Sequence, residues 1–393
     1  MSGDRLDPLT REVRPLAAAG TDATTVAALL AWAVRPRRTL EGVRRTLAAQ
    51  GVRTGDPGDG LLAEVRGRID GDDVAAALRL VPRWRAQGCR LSVVGDPAYP
   101  SRLAEGWPAT DGPVLLVTAG TLPPSVPTVA IVGSRNATSY GAGVAAWLAE
   151  AASAAGVHVV SGGALGIDAA AHRAAVEGPG GTSVVLGCGH DVGYPRPHAR
   201  PGGLFERIRS GGGGLVSEQL PGVPPKAGIV RARNRIVAGL ADVVVVVEGG
   251  RRSGSLLTAT AALERGRSVL AVPGDIRRPG SVAPNRLLNE GAGTCTDPSE
   301  LLHALRSPAG PREVAAVAAP GADGDAVTVL PSAVRQPLVT AWPRAIVQDE
   351  LIARSGRSPG EVLAALTRAQ LAGEVVERAD GFVLCRQPAG PPR

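Results

Sequence analysis

Val129-Ala130-Ile131-Val132-Gly133-Ser134-Arg135 decides how the chain is read. Four apolar residues, three of them β-branched, meet a glycine and a polar turn, and a helix-like segment, Gly141–Ala155, follows. A short buried strand feeding a helix is the first half of a β-α-β unit. Outward from it the pattern repeats. Val157–Val160, Ser183–Leu186, Gly214–Ser217, Val243–Val247 and Ser268–Val272 read as strands. Gly166–Glu177, Leu204–Ser210, Arg231–Leu240 and Ser255–Arg265 between them read as helices. Such alternation predicts an α/β fold: one doubly wound, mostly parallel sheet over residues 128–305.

The flanks differ in character. Residues 1–90 read as a helical N-terminal domain, of a helix-hairpin-helix or SAM-like kind, with breaks at Gly51, Gly55, Pro57 and Gly58. Residues 91–127 read as a bridging segment and linker, with a strand-like run Val114–Val117 and three prolines between Thr121 and Pro127. Residues 306–336, rich in Ala, Pro and Gly, are expected to be a flexible linker. Residues 337–386 spell helix, helix, hairpin, with Ser358-Pro359 opening the second helix and Asp380-Gly381 turning the hairpin. That order is winged-helix-like.

Composition bounds the function. Hydrophobic residues make up 44% of the 393 and charged residues 20%, which fits a globular protein rather than a disordered one. Aromatic residues are 3%, so the core must be Ala, Val, Leu and Ile. The net charge is +7, carried almost wholly by arginine, with Lys226 the sole lysine. The surplus is modest, and any anion site must come from local clustering. Four dispersed cysteines form no Cys-x-x-Cys pair, which speaks against a disulfide framework or zinc ribbon and fits a reducing compartment. The charged N-terminal residues and the lack of an 18-residue apolar run lead to the expectation of a cytoplasmic protein with no membrane span.

Four stretches could hold anions. Gly133-Ser134-Arg135 joins a strand end to a helix start, where free backbone N–H groups and the helix dipole favour a phosphate and Arg135 adds a planar donor fork. Ser161-Gly162-Gly163 follows the next strand and permits close backbone approach. Asp168 and His172, four apart, share a helix face, where capping and packing compete with catalysis. Arg231, Arg233, Asn234 and Arg235 follow Lys226; on one helix Arg231 and Arg235 share a face and Arg233 points elsewhere. Such residues form either a solvated face with one buried ion pair or a site for an anionic partner. Gly249-Gly250-Arg251-Arg252-Ser253-Gly254-Ser255 follows the most apolar strand and opens a helix, a second place for a phosphate. Loops at the carboxyl edge of one sheet converge on one crevice. Cys188, His190 and His198 lack a second motif to make a metal site, and neither a nucleophile elbow nor a Walker A loop is present. No catalytic residue, metal or cofactor is expected.

The combination of Gly133-Ser134-Arg135, Ser161-Gly162 with Gly166-Ile167-Asp168 and His172, Tyr194-Pro195, Ser217-Glu218, Arg233-Asn234-Arg235-Ile236, Ser253-Gly254-Ser255-Leu256 and Val272-Pro273-Gly274 resembles the bacterial DNA-processing protein A (DprA/Smf) family. The resemblance covers residues 95–305, and the flanks by architecture only. It implies a Rossmann-like domain that binds and protects single-stranded DNA without strong sequence preference. It further implies RecA recombinase as a partner during natural transformation and recombination, and a homodimer formed through the α/β domain. It places Arg135 in a basic pocket, with Arg196 after the Tyr-Pro pair, the Arg-Asn-Arg segment and Lys226 nearby. The chain departs from the family pattern at Ile229-Val230, where Phe-Pro is usual, and at Pro197-His198, where an Asn is usual.

A competing reading is an enzyme, a nucleotide phosphoribohydrolase of the lysine-decarboxylase-like group. Its Pro-Gly-Gly-x-Gly-Thr-x-x-Glu loop would lie where Gly250–Ser255 stand, but the loop Glu is missing. A transcription regulator led by the tail module leaves the motifs of the α/β domain unexplained.

Overall fold

A computed structural model describes residues 5–35, 38, 40–49, 63–105, 110–121, 125–306, 330–341, 345–359, 361–362, 365–366, 369, 375–378 and 381–384. The chain divides into two compact units, Met1–Gly310 and Pro311–Arg393.

The first unit is built on one nine-stranded sheet. Its strands are β1 Cys89–Val93, β2 Leu115–Gly120, β3 Thr128–Val132, β4 His158–Ser161, β5 Thr182–Val185, β6 Gly214–Ser217, β7 Val243–Val246, β8 Ser268–Ala271 and β9 Gly293–Thr294. Their spatial order is β1-β2-β6-β5-β4-β3-β7-β8-β9. Every pairing from β6 to β9 is parallel; β1 with β2 and β2 with β6 are antiparallel. The chain therefore steps outward from β3 through β4, β5 and β6, then returns to the other side of β3 with β7. Reversal of strand order opens a crevice beyond the carboxyl ends of β3 and β7, where sheets of this kind bind ligands.

Alternate residues of each strand serve opposite faces. Val129 and Ile131 of β3, with Val243 and Val245 of β7, pack under α7 (Ser139–Ala154), α8 (Ile167–Ala175) and α15 (Pro298–Arg306), contacting Leu148, Ala149, Ala171 and Leu301. Ala130, Val132, Val244 and Val246 belong to the opposite layer, with Ile236 and Val237 of α12 (Asn234–Leu240) and Ala259 and Ala262 of α13 (Gly254–Glu264). With so few aromatic residues, close helix–sheet approach over alanines fills this core.

Helices α1 (Asp7–Val13), α2 (Ala23–Ala33), α3 (Leu40–Ala49), α4 (Gly71–Leu78) and α5 (Val81–Ala86) make up the helical N-terminal region. Asp22 caps α2 by accepting the Thr24 and Thr25 N–H groups, and Asp70 and Asp73 form a reciprocal capping box on α4. The apolar side chains of these helices, Leu29 and Trp84 among them, share one buried cluster with the sheet.

The expected bridge over residues 91–127 differs from what forms. β1 and β2 extend the sheet by two antiparallel strands, and α6 (Ser101–Ala104) lies between them. Long-range polar contacts hold this segment in place. Arg102 pairs with both oxygens of Asp242 at 2.7 and 2.8 Å, Arg265 reaches Asp111 at 2.7 Å, and the Tyr99 hydroxyl donates to the Pro113 carbonyl at 2.6 Å. The helix expected over Arg231–Leu240 forms as two short helices, α11 (Ala227–Ala232) and α12, that meet at Arg233.

In the second unit α16 (Ser332–Ala341) begins inside the stretch expected as linker, because Val334 and Leu338 are buried in the unit's own core. Residues 307–329 lie outside the described residues. α17 (Gln348–Ser355) follows. Ser358 and Glu361 form a capping box, and Val362, Ala365, Leu366 and Ala369 are buried at helical spacing. β10 (Val375–Arg378) and β11 (Gly381–Leu384) pair as an antiparallel hairpin. No described helix is long and apolar enough to cross a membrane.

Candidate nucleic-acid interface

The crevice at the β3/β7 edge has a volume of about 760 Å³ and is walled by the loops after β3, β4 and β7 and by the α11–α12 junction. It continues into a smaller hollow of about 310 Å³ beyond β4 and β5. Arg135, Gly162 and Arg233 line both spaces.

Arg233 is the centre of the arrangement. It is 6% exposed, and its Nε has no hydrogen-bond partner. Its guanidinium lies against Gly162 so closely that a Cβ on that residue would sit 1.5 Å from Nη1. Glycine is required here for room rather than for an unusual backbone angle. Asp168, also buried, lies near Arg233, but Oδ2 accepts the N–H groups of Gly162 and Ala164 at 3.2 and 3.3 Å. Burial pushes the Asp168 carboxyl up from the usual carboxylate range, and Arg233 opposes that shift. Arg233 itself is shifted down, first by burial, with Arg135 adding a like charge. An arginine keeps its proton under such conditions. Neither Arg135 nor Arg233 forms an ion pair among the described residues. Among the described residues, Asp168 is the only acidic residue lining the crevice, against Arg135 and Arg233.

The opposite wall is the N-terminus of α13. Ser253 caps this helix by accepting the Ser255 N–H, and the Ser253 and Ser255 hydroxyls are 2.8 Å apart. The Asn234 side chain donates to the Gly254 carbonyl at 2.9 Å and ties this loop to α12. Arg251 and Arg252 are exposed on the rim. A helix dipole and neighbouring arginines together suit an anion.

The phosphate site expected at the helix after β3 is arranged differently. The α7 N-terminus is already served by a protein carboxylate. Glu248, 7% exposed at the end of β7, accepts the Thr138 N–H at 2.9 Å and the Thr138 hydroxyl at 2.5 Å. A Cβ on Gly141 would lie 2.3 Å from the Glu248 carboxyl carbon, so glycine makes room for it. The loop lines the crevice from Val132 to Arg135, and the exposed Arg135 is its cationic side chain. Gly133 packs against Ile167 and the Glu248 carbonyl, and Ser134 shapes the turn through Asn136 and Ile167.

Other expected residues divide. Gly162, Arg231, Arg233, Asn234, Arg251, Arg252, Ser253, Gly254 and Ser255 all line the crevice. Arg196 opens the short helix α9 (Arg196–Ala199), is exposed, and lines the smaller hollow with Tyr194. Gly163, at φ 66°, faces Val184 and Phe205 inside the fold. Lys226 is exposed before α11 and lines neither space. Arg235 turns toward the N-terminal segment, reaching Glu218 at 2.5 Å and Asp111 at 3.9 Å. Glu248 did not figure among the expected site residues. An acid ending a wholly buried strand is the signal that marks Glu248.

Residues 90–306 match the DNA recombination-mediator protein A family. The chain is 38% identical over 361 residues to a DNA processing protein DprA of Mycobacterium tuberculosis, covering 87% of this chain and 88% of that protein. It is 45% identical over 178 residues to protein Smf of Escherichia coli, but spans only about half (47%) of that relative's length. Among solved structures, the X-ray structure of DprA from Streptococcus pneumoniae aligns with a TM-score of 0.53 at 30% identity, over 77% of this chain and 98% of that one. By sequence and by fold, the chain belongs to the DNA recombination-mediator protein A (DprA/Smf) family.

Proposed function

We propose that the protein binds and protects single-stranded DNA without strong sequence preference, and passes it to a RecA-type recombinase during DNA uptake and recombination. The carrying observation is the buried, unpaired Arg233 beside Arg135 at the switch point of the sheet. A buried arginine with an unmet Nε is costly unless an anion completes it. A phosphate presents the acceptor geometry that a guanidinium fork matches. The crevice is open along its length and walled by backbone and arginine, which suits a strand's backbone. Tyr194, 38% exposed, is the one aromatic side chain at these two spaces, so base stacking is limited and sequence preference is low.

The further elements of this reading are a cytoplasmic homodimer joined through the α/β unit, acting without catalysis or cofactor. The helical region over 1–90 and a winged-helix-like module over 337–386 act as accessory domains. A gel-shift series with the full-length protein tests the reading: single-stranded oligonucleotides of unrelated sequence bind alike and more tightly than their duplexes. Equal affinity for duplex at physiological salt contradicts it, and base release from nucleoside monophosphates would move the assignment to a phosphoribohydrolase.

A further inference from the structure

The smaller hollow beyond β4 and β5 differs in chemistry from the crevice it joins. Ala164, Leu165, Leu186, Tyr194, Pro197 and Val230 give it apolar walls. Its charged residues are Arg135, Arg196 and Arg233, and among the described residues no carboxylate lines it. At about 310 Å³ it lies at the small end of ligand sites, a space for one planar ring system rather than a chain segment. A third hollow, of about 680 Å³, shares Leu186 and Tyr194 with it but has Asp191 and Glu206 in its lining, which disfavours a polyanion.

Two lips frame the smaller hollow. One is the loop after β4, which presents Leu165, 46% exposed; the other runs from Tyr194 to Pro197 and presents Tyr194. Large apolar side chains exposed singly need no explanation, but here two stand at one opening. The lips are tied to each other. His198, buried, donates from Nδ1 to the Gly163 carbonyl at 3.0 Å, and its ring packs edge-on against Phe205 of α10 (Leu204–Ser210), with centroids 5.7 Å apart. The Pro195 carbonyl accepts the His198 and Ala199 N–H groups, which fixes the turn that carries Tyr194. Gly187 packs on Val230 so closely that a Cβ would come 2.9 Å from the Val230 Cα, so two further walls are fixed to each other. A slot whose walls are already in place loses little freedom on binding.

The neck joins this slot to the cations. Arg135, Gly162 and Arg233 line both the hollow and the crevice, so a phosphate held by the two arginines stands at the entrance of the hollow. We propose that the smaller hollow is a base clamp, which takes one nucleobase of the bound strand between Tyr194 and Leu165 while that nucleotide's phosphate stays on Arg135 and Arg233. Every base has a π-face, so the clamp grips without reading sequence. An apolar side chain of a protein partner would fill the walls but leave the arginines at the neck unused. The clamp rests on the single-strand reading above and adds to it a grip on the base.

The test uses the full-length protein and two strands of about 8 nucleotides, a length within the range of single-strand site sizes: oligothymidylate and the same sugar-phosphate chain without bases. Affinity is read by fluorescence anisotropy across salt. Wild type should bind the thymidylate about tenfold more tightly than the abasic strand, the scale of one base–aromatic stack. Tyr194→Ala should remove that advantage: thymidylate binding falls about tenfold, while abasic binding and the log–log salt slope stay as in wild type. Tyr194→Phe keeps the ring and should keep the wild-type pattern. Leu165→Ser, on the opposite exposed lip, should show the same selective loss, so the test does not depend on the folding of one variant. Equal wild-type affinity for the two strands, or thymidylate binding by both lip variants equal to wild type, overturns the clamp and leaves the single-strand reading standing. Wild-type protein that binds neither strand defeats that reading and the clamp with it. Thymidine 5′-monophosphate carries the same base and phosphate outside a strand. If it competes as tightly as the thymidylate and loses this in Tyr194→Ala, the hollow belongs to a free nucleotide and the strand clamp is overturned.

Discussion

At the scale of single residues, the crevice depends on a glycine and an arginine that exclude any alternative to each other. The three atoms nearest a Cβ on Gly162 all belong to the Arg233 guanidinium, the mobile end of a long side chain. Gly162→Ala should therefore displace Arg233 and leave the fold intact. Single-strand affinity is expected to fall about ten- to a hundredfold, the loss of a charge-assisted hydrogen bond worth roughly 1.5–3 kcal/mol. Parallel thermal melts and binding titrations check this, and a variant that binds like wild type would remove Arg233 from the site. Arg235 makes the contrast. It reads in sequence as a companion of Arg233, but its partner Glu218 lies 17 residues away and Asp111 further still. A long-range ion pair leaves no mark in the local pattern, which is why the segment Arg231–Arg235 could be seen as basic and not be divided into inward, outward and paired side chains.

Histidines set the pH response at this same scale. His172 is fully buried, its Nδ1 bonded to the Thr182 hydroxyl at 2.7 Å and its Nε2 unpartnered. Burial pushes its pKa down to about 3, and that of His190 to about 4. In the unfolded chain both titrate near the ordinary value of 6.5. Above that pH both states are neutral and stability is full. As pH falls below it the unfolded state takes up protons that the native state refuses, so stability declines until the native values are reached. At pH 5 the cost is about 2 kcal/mol per histidine. Urea unfolding at pH 7 and pH 5 should show this drop in midpoint at constant m-value; equal midpoints would contradict it.

At the scale of elements, Glu248 links two strands' ends and a helix. It closes β7, caps α7 through Thr138, and occupies space that only Gly141 leaves free. Glu248→Gln keeps the shape and removes the charge facing the helix N-terminus. It should cost about 1.5–3 kcal/mol in denaturant unfolding, the range for hydrogen bonds to a charged group. No loss of stability would mean that the capping bonds contribute little. The six parallel strands β3 to β8 were legible because runs such as Val243–Val247 are β-branched and bounded by polar residues, here Asp242 and Glu248. β1 was not. Cys89-Arg90-Leu91-Ser92-Val93 is five residues of mixed polarity whose strand character comes from pairing with β2 across a long connection. The same holds for β9, a two-residue strand on the far edge.

At the scale of the whole molecule, the chain divides into two compact units. All residues lining the three hollows fall within the first unit. A chain ended at Gly310 should fold and keep single-strand affinity within about threefold of wild type, a change of under ~0.7 kcal/mol. A folded truncation that no longer binds would place part of the site in the second unit. A chain started at residue 128 should fare worse. Removing β1, β2 and the Arg102–Asp242 pair strips the edge of β6 and exposes the cluster shared with the N-terminal helices. Insolubility of that fragment is the expected result, and a stable, monodisperse fragment would show that residues 1–127 are dispensable for the sheet.

The central claim is that Arg135, exposed on the rim of the crevice, contacts a phosphate of a bound single strand. The salt dependence of binding by wild type and Arg135→Ala measures this directly. Each neutralised phosphate on a single strand contributes about −0.7 to the log–log slope. The variant should therefore bind about ten- to a hundredfold more weakly, show a slope smaller by roughly 0.7 with every sequence tried, and melt at the wild-type temperature. An unchanged slope alongside a lowered melting temperature would contradict the account, because it would make Arg135 a structural residue.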